Sequence, residues 1–539
     1  MNQQWFVICL LIACAHLSHQ ISTPNSITYK AAVVEYNPKY VNNAKETLST
    51  NSDAYVKHIK TAKRRDADII VFPEDGLTTT NLPEREEMEN WTTIIPAASE
   101  NYTPCINSTF EVSDTLRKIS CAARGNEIYV VINIAEKLPC TENVCPKDKI
   151  FYYNSNVVFD RTGKIIARYR KTNLFIERQF NVTLVPEIVT FDTDFGVKFG
   201  TFICFDILFY EPALQLTRLH QVTDIVYTTA WFSEAPFLTA VQTQAGWSFS
   251  EDVNFLASGY NKPSVGSTGS GIYLGRKGIA TAIMSNTIHE EVLVFEVPKK
   301  NKKNRFNKNH HDHSKGHDQK VVSYNTKVSP LMEESMREKL WENKNKFDNT
   351  VIDNNTLFLH TDNISAFKTS SLEGDTNKTV CHNNFCCDFK IQVTLDSNTK
   401  YRLVAFNGLR IYGIVEAGVQ ACGIIQCSND AISSCGSVQE SKTTFGNIEV
   451  TATFHDYKNL LIMPSTLRSD LLPLSKNWTY DEHVHDDHVH VNMFLDNSTN
   501  NLITFGIYSR YFKSDASRIA SDVVHYFIAL LVSLLLSRL

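Results

Sequence analysis

The first half of the chain alternates between short apolar runs and longer stretches with helical periodicity. The pattern predicts a helix over 44–65 and strands over 28–36, 67–72, 128–134, 152–159, 164–169, 196–203, 224–229 and 291–297. Strands rich in Val, Ile and Phe that are separated by helices are typical of a sheet buried on both faces. We therefore expect a layered α/β domain over residues 28–298.

The pattern changes in the second half of the chain. Residues 299–325 are basic and histidine-rich with almost no apolar side chains, which predicts a solvated insertion or linker. From 350 to 512 helical periodicity is sparse, and strand-like runs such as 401–406 and 409–415 appear. Six cysteines between Cys381 and Cys435 accompany these runs. They predict a smaller β-rich domain stapled by disulfides.

Histidines cluster at two places. His310, His311, His313 and His317 lie in the polar insertion, where a flexible segment is the expected interpretation and metal binding the alternative. A second cluster holds His483, His485, His488 and His490. Alternate residues of a strand face the same side, so His483 and His485 are expected on one face. We interpret this cluster as the polar face of a surface strand, with metal binding as the alternative.

The two ends of the chain resemble processing signals. Residues 1–20 contain an apolar run that is short for a membrane span and typical of a secretory signal. Near the C-terminus, small residues from Ser514 onward precede a spacer and a terminal apolar tail. This predicts a glycolipid anchor on Ser514, with Asp515 to Ser517 as alternative attachment residues, and removal of 515–539. A transmembrane helix is the alternative for the tail.

Acceptor sequences for N-glycosylation support secretion independently. Nine Asn-x-Ser/Thr sequences occur, at Asn90, Asn101, Asn107, Asn181, Asn354, Asn363, Asn377, Asn477 and Asn497. We therefore expect a protein that is secreted or anchored at the extracellular face of the membrane.

The cysteine count singles out one thiol. Of 13 cysteines, Cys9 and Cys14 leave with the signal, so the mature chain holds an odd number. An odd number in a secreted protein implies a free thiol or an intermolecular bridge. Without Cys204 the remaining cysteines suffice for five disulfides, of which Cys140–Cys145 is plausible from proximity. The other pairings stay open.

Composition adds one exclusion. The 539-residue chain is 43% apolar and 21% charged, with a net charge of -5. These values are ordinary for a globular protein and give no reason to expect a nucleic-acid partner. Oligomeric state stays open.

Three polar residues follow predicted strands in positions suited to catalysis. Glu74 stands in Phe-Pro-Glu-Asp-Gly, Lys171 in Arg-Lys-Thr-Asn-Leu-Phe, and Cys204 between a strand-like and a helix-like run. A cysteine at such a junction is expected to be exposed at the sheet edge, with its thiolate favoured by the helix dipole. Taken singly, each has an ordinary explanation: a buried core thiol, a turn cap and a solvated charge.

Together the three residues match the needs of amide hydrolysis through a covalent intermediate. Cys204 supplies the nucleophile, Glu74 the proton acceptor, and Lys171 a positive charge near the oxyanion. The backbone N–H of Phe205 is an additional donor to the oxyanion, and Glu177 is expected to hold Lys171 in position.

These segments resemble the nitrilase superfamily, and more closely its vanin and biotinidase branch. The similarity extends to Thr229-Ala230-Trp231, 253–258, 268–273 and Val380-Cys381-His382-Asn383, and thus to most of the mature chain. The resemblance implies an αββα sandwich followed by a smaller β-rich domain. It also implies that Glu74 is the general base, Lys171 the stabiliser of the intermediate and Cys204 the acylated nucleophile.

The resemblance also implies a substrate class and no cofactor. Activities of the branch are hydrolysis of pantetheine to pantothenate and cysteamine, and hydrolysis of biotinyl amides. The predicted anchor favours pantetheine as the substrate, and a biotinyl amide is the alternative substrate. The alternative to an enzyme is a catalytically silent surface glycoprotein. Trp231 and Tyr273 are candidates for the acyl pocket, with a core position as the alternative.

Overall fold

A computed structural model describes residues 21–141, 145–183, 185–300, 357–413, 415–475 and 478–512. The predicted signal, Ser514 and its tail, Asn354 and Asn477 lie outside these residues, as does the insertion beyond Lys300. Within the described residues, no helix combines the length and the apolar character that a membrane crossing requires.

Two six-stranded sheets form the core of the N-terminal half. The first contains β1 (Thr28–Glu35), β2 (Ile69–Val71), β3 (Tyr129–Pro139), β4 (Ile150–Phe159), β5 (Ile165–Arg170) and β13 (Glu291–Pro298). The second contains β6 (Thr190–Asp192), β7 (Lys198–Ile203), β8 (Asp224–Thr229), β10 (Asn254–Gly259), β11 (Ser270–Leu274) and β12 (Ile279–Ile283). Their spatial orders are β13-β1-β2-β3-β4-β5 and β12-β11-β10-β8-β7-β6. In each sheet the central strands run parallel.

Helices cover the outer faces of these sheets. Helix α1 (Ala44–Arg64) begins at Asn43, whose side chain accepts from the N–H of Glu46, and α2 (Asp114–Asn126) begins at the corresponding cap Ser113. Both pack on the first sheet through one apolar core. The short α3 (Gln215–Arg218) and α4 (Ala240–Glu251) lie on the second sheet. A separate core fills the space between the sheets, so the predicted αββα sandwich is confirmed.

The C-terminal half is a β-sandwich. One five-stranded sheet contains β15 (Lys368–Ser371), β18 (Lys400–Tyr412), β19 (Val415–Cys427), β21 (Leu460–Arg468) and β24 (Leu502–Tyr511). The other contains β16 (Thr376–His382), β17 (Phe385–Thr394), β20 (Thr444–His455), β22 (Trp478–Val484) and β23 (His488–Leu495). Apolar side chains from both sheets fill the space between them. A two-stranded pair of β9 (Glu234–Ala235) and β14 (His360–Thr361) joins the two halves.

Most predicted elements lie within a few residues of those observed, with one clear correction. The runs 401–406 and 409–415 are not two strands, because β18 continues through Gly408. The ring of Phe406 lies against Gly408, where an added Cβ would be 3.1 Å from its Cζ. Glycine therefore provides space for that ring within the strand and does not interrupt it.

Five disulfides join the cysteines other than Cys204 in the described part of the chain. The pairs are Cys105–Cys121, Cys140–Cys145, Cys381–Cys386, Cys387–Cys422 and Cys427–Cys435. Cys204 is the free cysteine among these residues, and it is buried. The predicted bridge between Cys140 and Cys145 and the predicted spare thiol are both confirmed.

Seven predicted glycosylation sites lie in described segments. Asn181 is half-buried, and its side-chain oxygen accepts from Arg85 and from the N–H of Tyr152. The exposed acceptors are Asn90, Asn101, Asn107, Asn363, Asn377 and Asn497. Exposure is what attachment of a glycan requires, and modification of these residues stays a prediction.

A partly buried charge cluster links the two halves. Arg410 of β18 lies 3.2 Å from the carboxylate of Glu234 and also contacts Asp362. Burial and the neighbouring Glu234 raise the pKa of Asp362 to about 7, although Arg410 opposes this shift. Two carboxylates thus share one guanidinium at the domain junction, and their mutual repulsion depends on pH.

The contribution of Asp362 to stability should therefore fall as the pH rises from about 4 to 7, because the unfolded chain loses a proton that folded Asp362 still holds. We expect the loss of melting temperature between pH 5 and pH 8 to be smaller in Asp362→Asn than in the unsubstituted protein. Asp430→Asn is the control, since Asp430 is exposed. Equal pH profiles for both variants would contradict the assignment.

Candidate active site

Cys204 begins a tight turn directly after β7. Its φ of 47° lies in the left-handed region, and a single turn of 3₁₀ helix follows at Cys204–Leu208. The hydroxyl of Tyr227 donates to the Cys204 carbonyl at 3.0 Å, which fixes the turn against β8. The strand–turn–helix arrangement agrees with the sequence prediction. The backbone conformation of Cys204 is one that residues other than glycine rarely adopt.

Asp206 holds this turn in place. One carboxylate oxygen accepts from the N–H of Ile203 at 3.1 Å and from the hydroxyl of Tyr169 at 2.7 Å. The other accepts from the backbone N–H and the side-chain amide of Asn173, both at 2.8 Å. Burial raises the pKa of Asp206 to about 6, although these donors oppose the shift. Asp206 thereby ties the nucleophile turn to the loop that follows Lys171.

Glu74 lies at the end of β2, after Pro73. Its Oε1 accepts from the Lys171 ammonium at 2.7 Å and from the Asn154 amide at 2.9 Å. Its Oε2 accepts from the N–H of Ala230 at 2.8 Å. Three donors from three segments thus fix this carboxylate, which is only 2% exposed.

Lys171 lies between two carboxylates. Its ammonium is 2.7 Å from Glu74 and 2.8 Å from Glu177, and the residue is 2% exposed. The Asn154 amide connects the same two carboxylates, because it donates to Glu177 at 2.6 Å. The N–H of Phe175 also donates to Glu177, at 2.7 Å. Four polar groups therefore form one buried network around the lysine.

The network fixes the charge of Lys171. Burial lowers the pKa of Lys171, but the carboxylates of Glu177 and Glu74 more than offset this and hold it well above its ordinary value. Burial also raises the pKa of Glu177, against the influence of Lys171. A lysine held as a cation in a buried site is suited to stabilise a developing oxyanion.

The expectation of an exposed Cys204 with a favoured thiolate is wrong. Cys204 is 5% exposed, and burial followed by the charge of Glu74 raises the pKa of its thiol well above the ordinary value. Lys171 and Thr229 oppose this shift and do not overcome it. The helix that follows is one turn long, too short for a substantial dipole. The thiol thus needs a base at the moment of attack, and Glu74 is close enough to influence its ionisation.

The other predicted residues occupy distinct positions. Phe205 follows the nucleophile in the first turn of the short helix, where backbone N–H groups lack partners within the helix. Trp231 is buried, and its indole N–H donates to Leu238. Tyr273 is fully buried, with its hydroxyl donating to Gln244 at 2.7 Å. These two aromatic side chains have satisfied polar groups in the core, and a pocket role for them stays a prediction.

Sequence reasoning missed several residues that complete the site. Asn154, Asp206 and the N–H of Ala230 fix the catalytic groups, and none of them has a role predicted from the sequence, although Ala230 lies in a segment that carries the family resemblance. Asn154 lies within β4 among Tyr152, Tyr153 and Ser155, where alternation alone gives a polar position no special role. Their contribution depends on which strands become neighbours.

The C-terminal domain also reaches the site. Gly413, at the tip of the β18–β19 hairpin, lies close to Ile176. A Cβ added to Gly413 would be 2.9 Å from the Cγ1 of Ile176. The ring of Tyr412 lies 6.3 Å from that of Phe205, next to the nucleophile. Arg510 of β24 donates to the carbonyl of Leu208 at 3.2 Å. The turn that carries Cys204 is therefore supported from both domains.

Two family profiles match the chain. The carbon-nitrogen hydrolase family matches residues 30–245, and the vanin C-terminal domain matches residues 357–515. Vanin-like protein 1 of Drosophila melanogaster is 34% identical over 554 residues, covering 95% of this chain and 91% of the relative. Pantetheinase of Homo sapiens is 34% identical over 444 residues, covering 79% of this chain and 80% of the relative. An amidase from Nesterenkonia sp. AN1 is 12% identical with a TM-score of 0.39, covering 53% of this chain and 96% of that structure.

Proposed function

The chain belongs to the vanin family of carbon-nitrogen hydrolases, and from this we propose that it cleaves pantetheine to pantothenate and cysteamine through a thioester on Cys204. The observation that carries the proposal is the free Cys204 thiol next to the buried pair of Glu74 and Lys171. This arrangement supplies nucleophile, base and cation in one place.

The first step forms the thioester. Glu74 takes the proton from the Cys204 thiol as sulfur attacks the amide carbonyl, because the buried thiol is protonated before substrate binds. The oxyanion develops near the Lys171 ammonium, and the N–H of Phe205 is the additional donor. The tetrahedral intermediate then collapses: the C–N bond breaks, and protonated Glu74 gives its proton to the departing amine.

The second step restores the enzyme. Water enters after the amine has left, and Glu74 removes a proton from it as the oxygen attacks the thioester carbonyl. A second tetrahedral intermediate expels the Cys204 thiolate, which recovers the proton from Glu74. The acid product leaves, and no metal or organic cofactor takes part in the proposed cycle.

Pantetheine is the favoured substrate because relatives at about the same identity carry the name pantetheinase. A biotinyl amide is the second enzymatic candidate, and a catalytically silent surface glycoprotein is the alternative from another class. Incubating the purified protein with pantetheine or with biocytin, and measuring the released cysteamine or lysine, separates the three. Release of cysteamine alone supports pantetheine as the substrate. Release of lysine would show that the substrate is a biotinyl amide instead, and release of neither amine supports the silent alternative.

We also propose that the enzyme is secreted, glycosylated and anchored through Ser514. The predicted signal, the exposed acceptor asparagines and the terminal tail support this location. Expression in cultured animal cells followed by phosphatidylinositol-specific phospholipase C tests the anchor. Release of the protein into the medium is expected, and a protein that stays with the membrane fraction would favour the transmembrane alternative.

Glu177 is proposed as the positioning residue for Lys171. In Glu177→Gln the ammonium loses one of its two carboxylates, so its pKa should fall and its orientation loosen. We expect kcat to drop about tenfold, equivalent to about 1.4 kcal/mol, with a small change in KM. The loss should grow at alkaline pH, where the less stabilised ammonium begins to lose its proton.

Glu187→Gln is the matched control for this prediction. Glu187 is likewise a carboxylate held by hydrogen bonds, which it accepts from Arg168 and from the N–H of Arg170 and not from Lys171. A kcat loss of the same size and pH dependence in both variants would show that Glu177 has no special relation to Lys171.

A further inference from the structure

Histidines gather on the solvent-facing side of the second C-terminal sheet. Five of the ten histidines in the described part of the chain lie there or in the adjoining hairpin turn: His455, His483, His485, His488 and His490. The sequence places four of them near one another. It is the fold that adds His455, from a strand that ends some 30 residues earlier.

Strand register explains how His455 joins the group. The end of β20 pairs with the start of β23, so that His455 lies directly opposite His488. The neighbouring residues Phe454 and Val489 are buried in the sandwich, which directs the two histidines to the opposite, solvent face. The backbone N–H of Asp456 donates to the carbonyl of Asp487 at 3.2 Å and closes this corner.

The prediction that His483 and His485 share a strand face needs correction. Strand β22 ends at Val484, and His485 lies in the turn that leads to β23. Its N–H donates to the carbonyl of His488, and its ring stacks on that of His488 at 4.5 Å. His485 is thus next to His488, while His483 pairs with His490 further along the sheet.

Three side chains bring ligand atoms together at this corner. One such atom from each of His455, Asp487 and His488 lies within 4.8 Å of the other two. A carboxylate oxygen of Asp487 accepts from Nδ1 of His488 at 2.7 Å. Ligands of a tetrahedral zinc ion with bonds near 2 Å lie roughly 3.3 Å apart, so closure needs shifts of about an ångström.

We propose that His455, Asp487 and His488 form a surface site for a divalent transition-metal ion such as Zn²⁺. Imidazole nitrogen and carboxylate oxygen are a donor set that zinc accepts and that Mg²⁺ and Ca²⁺ do not favour. The metal takes the place of the hydrogen shared between Asp487 and His488, and the neutral His488 ring then carries its proton on Nε2. Asp487 and His455 are exposed, so the turn has room to close around the ion.

The site lies outside the catalytic network and supplies no step of the hydrolysis. Its ligands come from the end of β20 and from the turn between β22 and β23, so a bound ion cross-links two neighbouring segments of one sheet. Such an ion stabilises the folded protein, because the unfolded chain does not hold these side chains together.

Zinc titration of the purified full-length protein by calorimetry tests the proposal. The double variant His455→Ala/His488→Ala is compared with His220→Ala/His289→Ala, which removes two histidines elsewhere in the chain. The histidines of the 299–325 segment are present in both proteins and give the same background. We expect the cluster variant to lose one zinc equivalent or to bind it at least about tenfold more weakly, while the control binds like the unsubstituted protein.

The melting temperature is a second readout, which shows whether a variant that binds less zinc is still folded. Zinc should raise the melting temperature of the unsubstituted protein and of the control, and not that of the cluster variant. His488→Gln keeps a polar side chain at the strand start and should behave like the double variant. Equal zinc stoichiometry and affinity in folded cluster and control variants would overturn the proposal. Cysteamine release by the cluster variant is measured in parallel and should be unaltered. Failure of the metal site and failure of the proposed hydrolysis can therefore be told apart.

Discussion

Replacing Cys204 with alanine is expected to reduce amide hydrolysis by at least about 10⁴-fold, as loss of a nucleophile does in other enzymes that form covalent intermediates. The change removes one sulfur from a buried site and leaves the backbone turn unchanged. The hydrogen bonds of Asp206 and Tyr227 that fix this turn do not involve the thiol. Thermal unfolding should therefore change little.

Cys204→Ser is the informative companion. The hydroxyl fits the same space and is a much weaker nucleophile that Glu74 alone does not activate at neutral pH. We expect activity near that of the alanine variant, measured as cysteamine released from pantetheine. Retention of more than about a tenth of the activity in either variant would exclude Cys204 as the nucleophile.

Lys171→Met is expected to impair both activity and stability. Methionine has nearly the same length and no charge, so Glu74 and Glu177 remain buried without the cation that separates them. Removing one partner of a buried ion pair costs about 3–5 kcal/mol. The oxyanion also loses its cation, and we expect kcat to fall by about 10²–10³-fold or more.

The stability loss of Lys171→Met should depend on pH in a defined direction. Burial raises the pKa of Glu177 and the Lys171 ammonium opposes this, so without the ammonium the pKa of Glu177 should rise further above that of the unfolded chain. Protonation of Glu177 then stabilises the fold at low pH, and this contribution disappears as the pH rises through the elevated value. Urea denaturation should show a smaller deficit at pH 5 than at pH 8.

A double variant separates the two consequences. Glu74→Gln/Lys171→Met removes one carboxylate together with the cation, so part of the lost stability should return while activity stays absent. A stability equal to that of the single Lys171→Met variant at pH 8 would contradict the inference that uncompensated carboxylates cause the loss. Full activity in either variant would remove Lys171 from the proposed chemistry.

Much of the fold and of the candidate site could be predicted from the sequence because the catalytic residues lie at strand ends. The apolar runs before Glu74 and Cys204 are continuous and end abruptly, and the observed strands end within a few residues of them. The helix predicted over 44–65 is observed at Ala44–Arg64. The odd cysteine count predicted one spare thiol, and the strand–helix context assigned it to Cys204. Every other cysteine in the described part of the chain is indeed in a disulfide.

What the sequence did not reveal depends on contacts between distant segments. The Asn154 amide donates to Glu74 and to Glu177, which are 80 and 23 residues away in the sequence. The N–H of Ala230 donates to Glu74, which is 156 residues away. Burial of Cys204 is another such property, because Phe175 and Tyr412, from distant segments, pack against the neighbouring Phe205. His455 joins the later histidines only through strand register. Local pattern cannot supply these relations.

Rapid-quench mass spectrometry of the enzyme mixed with pantetheine tests the central claim most directly. Samples quenched in acid during the first turnovers are digested, and the peptide that contains Cys204 is weighed. The proposed mechanism predicts a pantothenoyl group on Cys204 that forms no later than cysteamine and disappears once substrate is exhausted. Continued release of cysteamine with Cys204 unmodified at every time, or an acyl group on another residue, would contradict it.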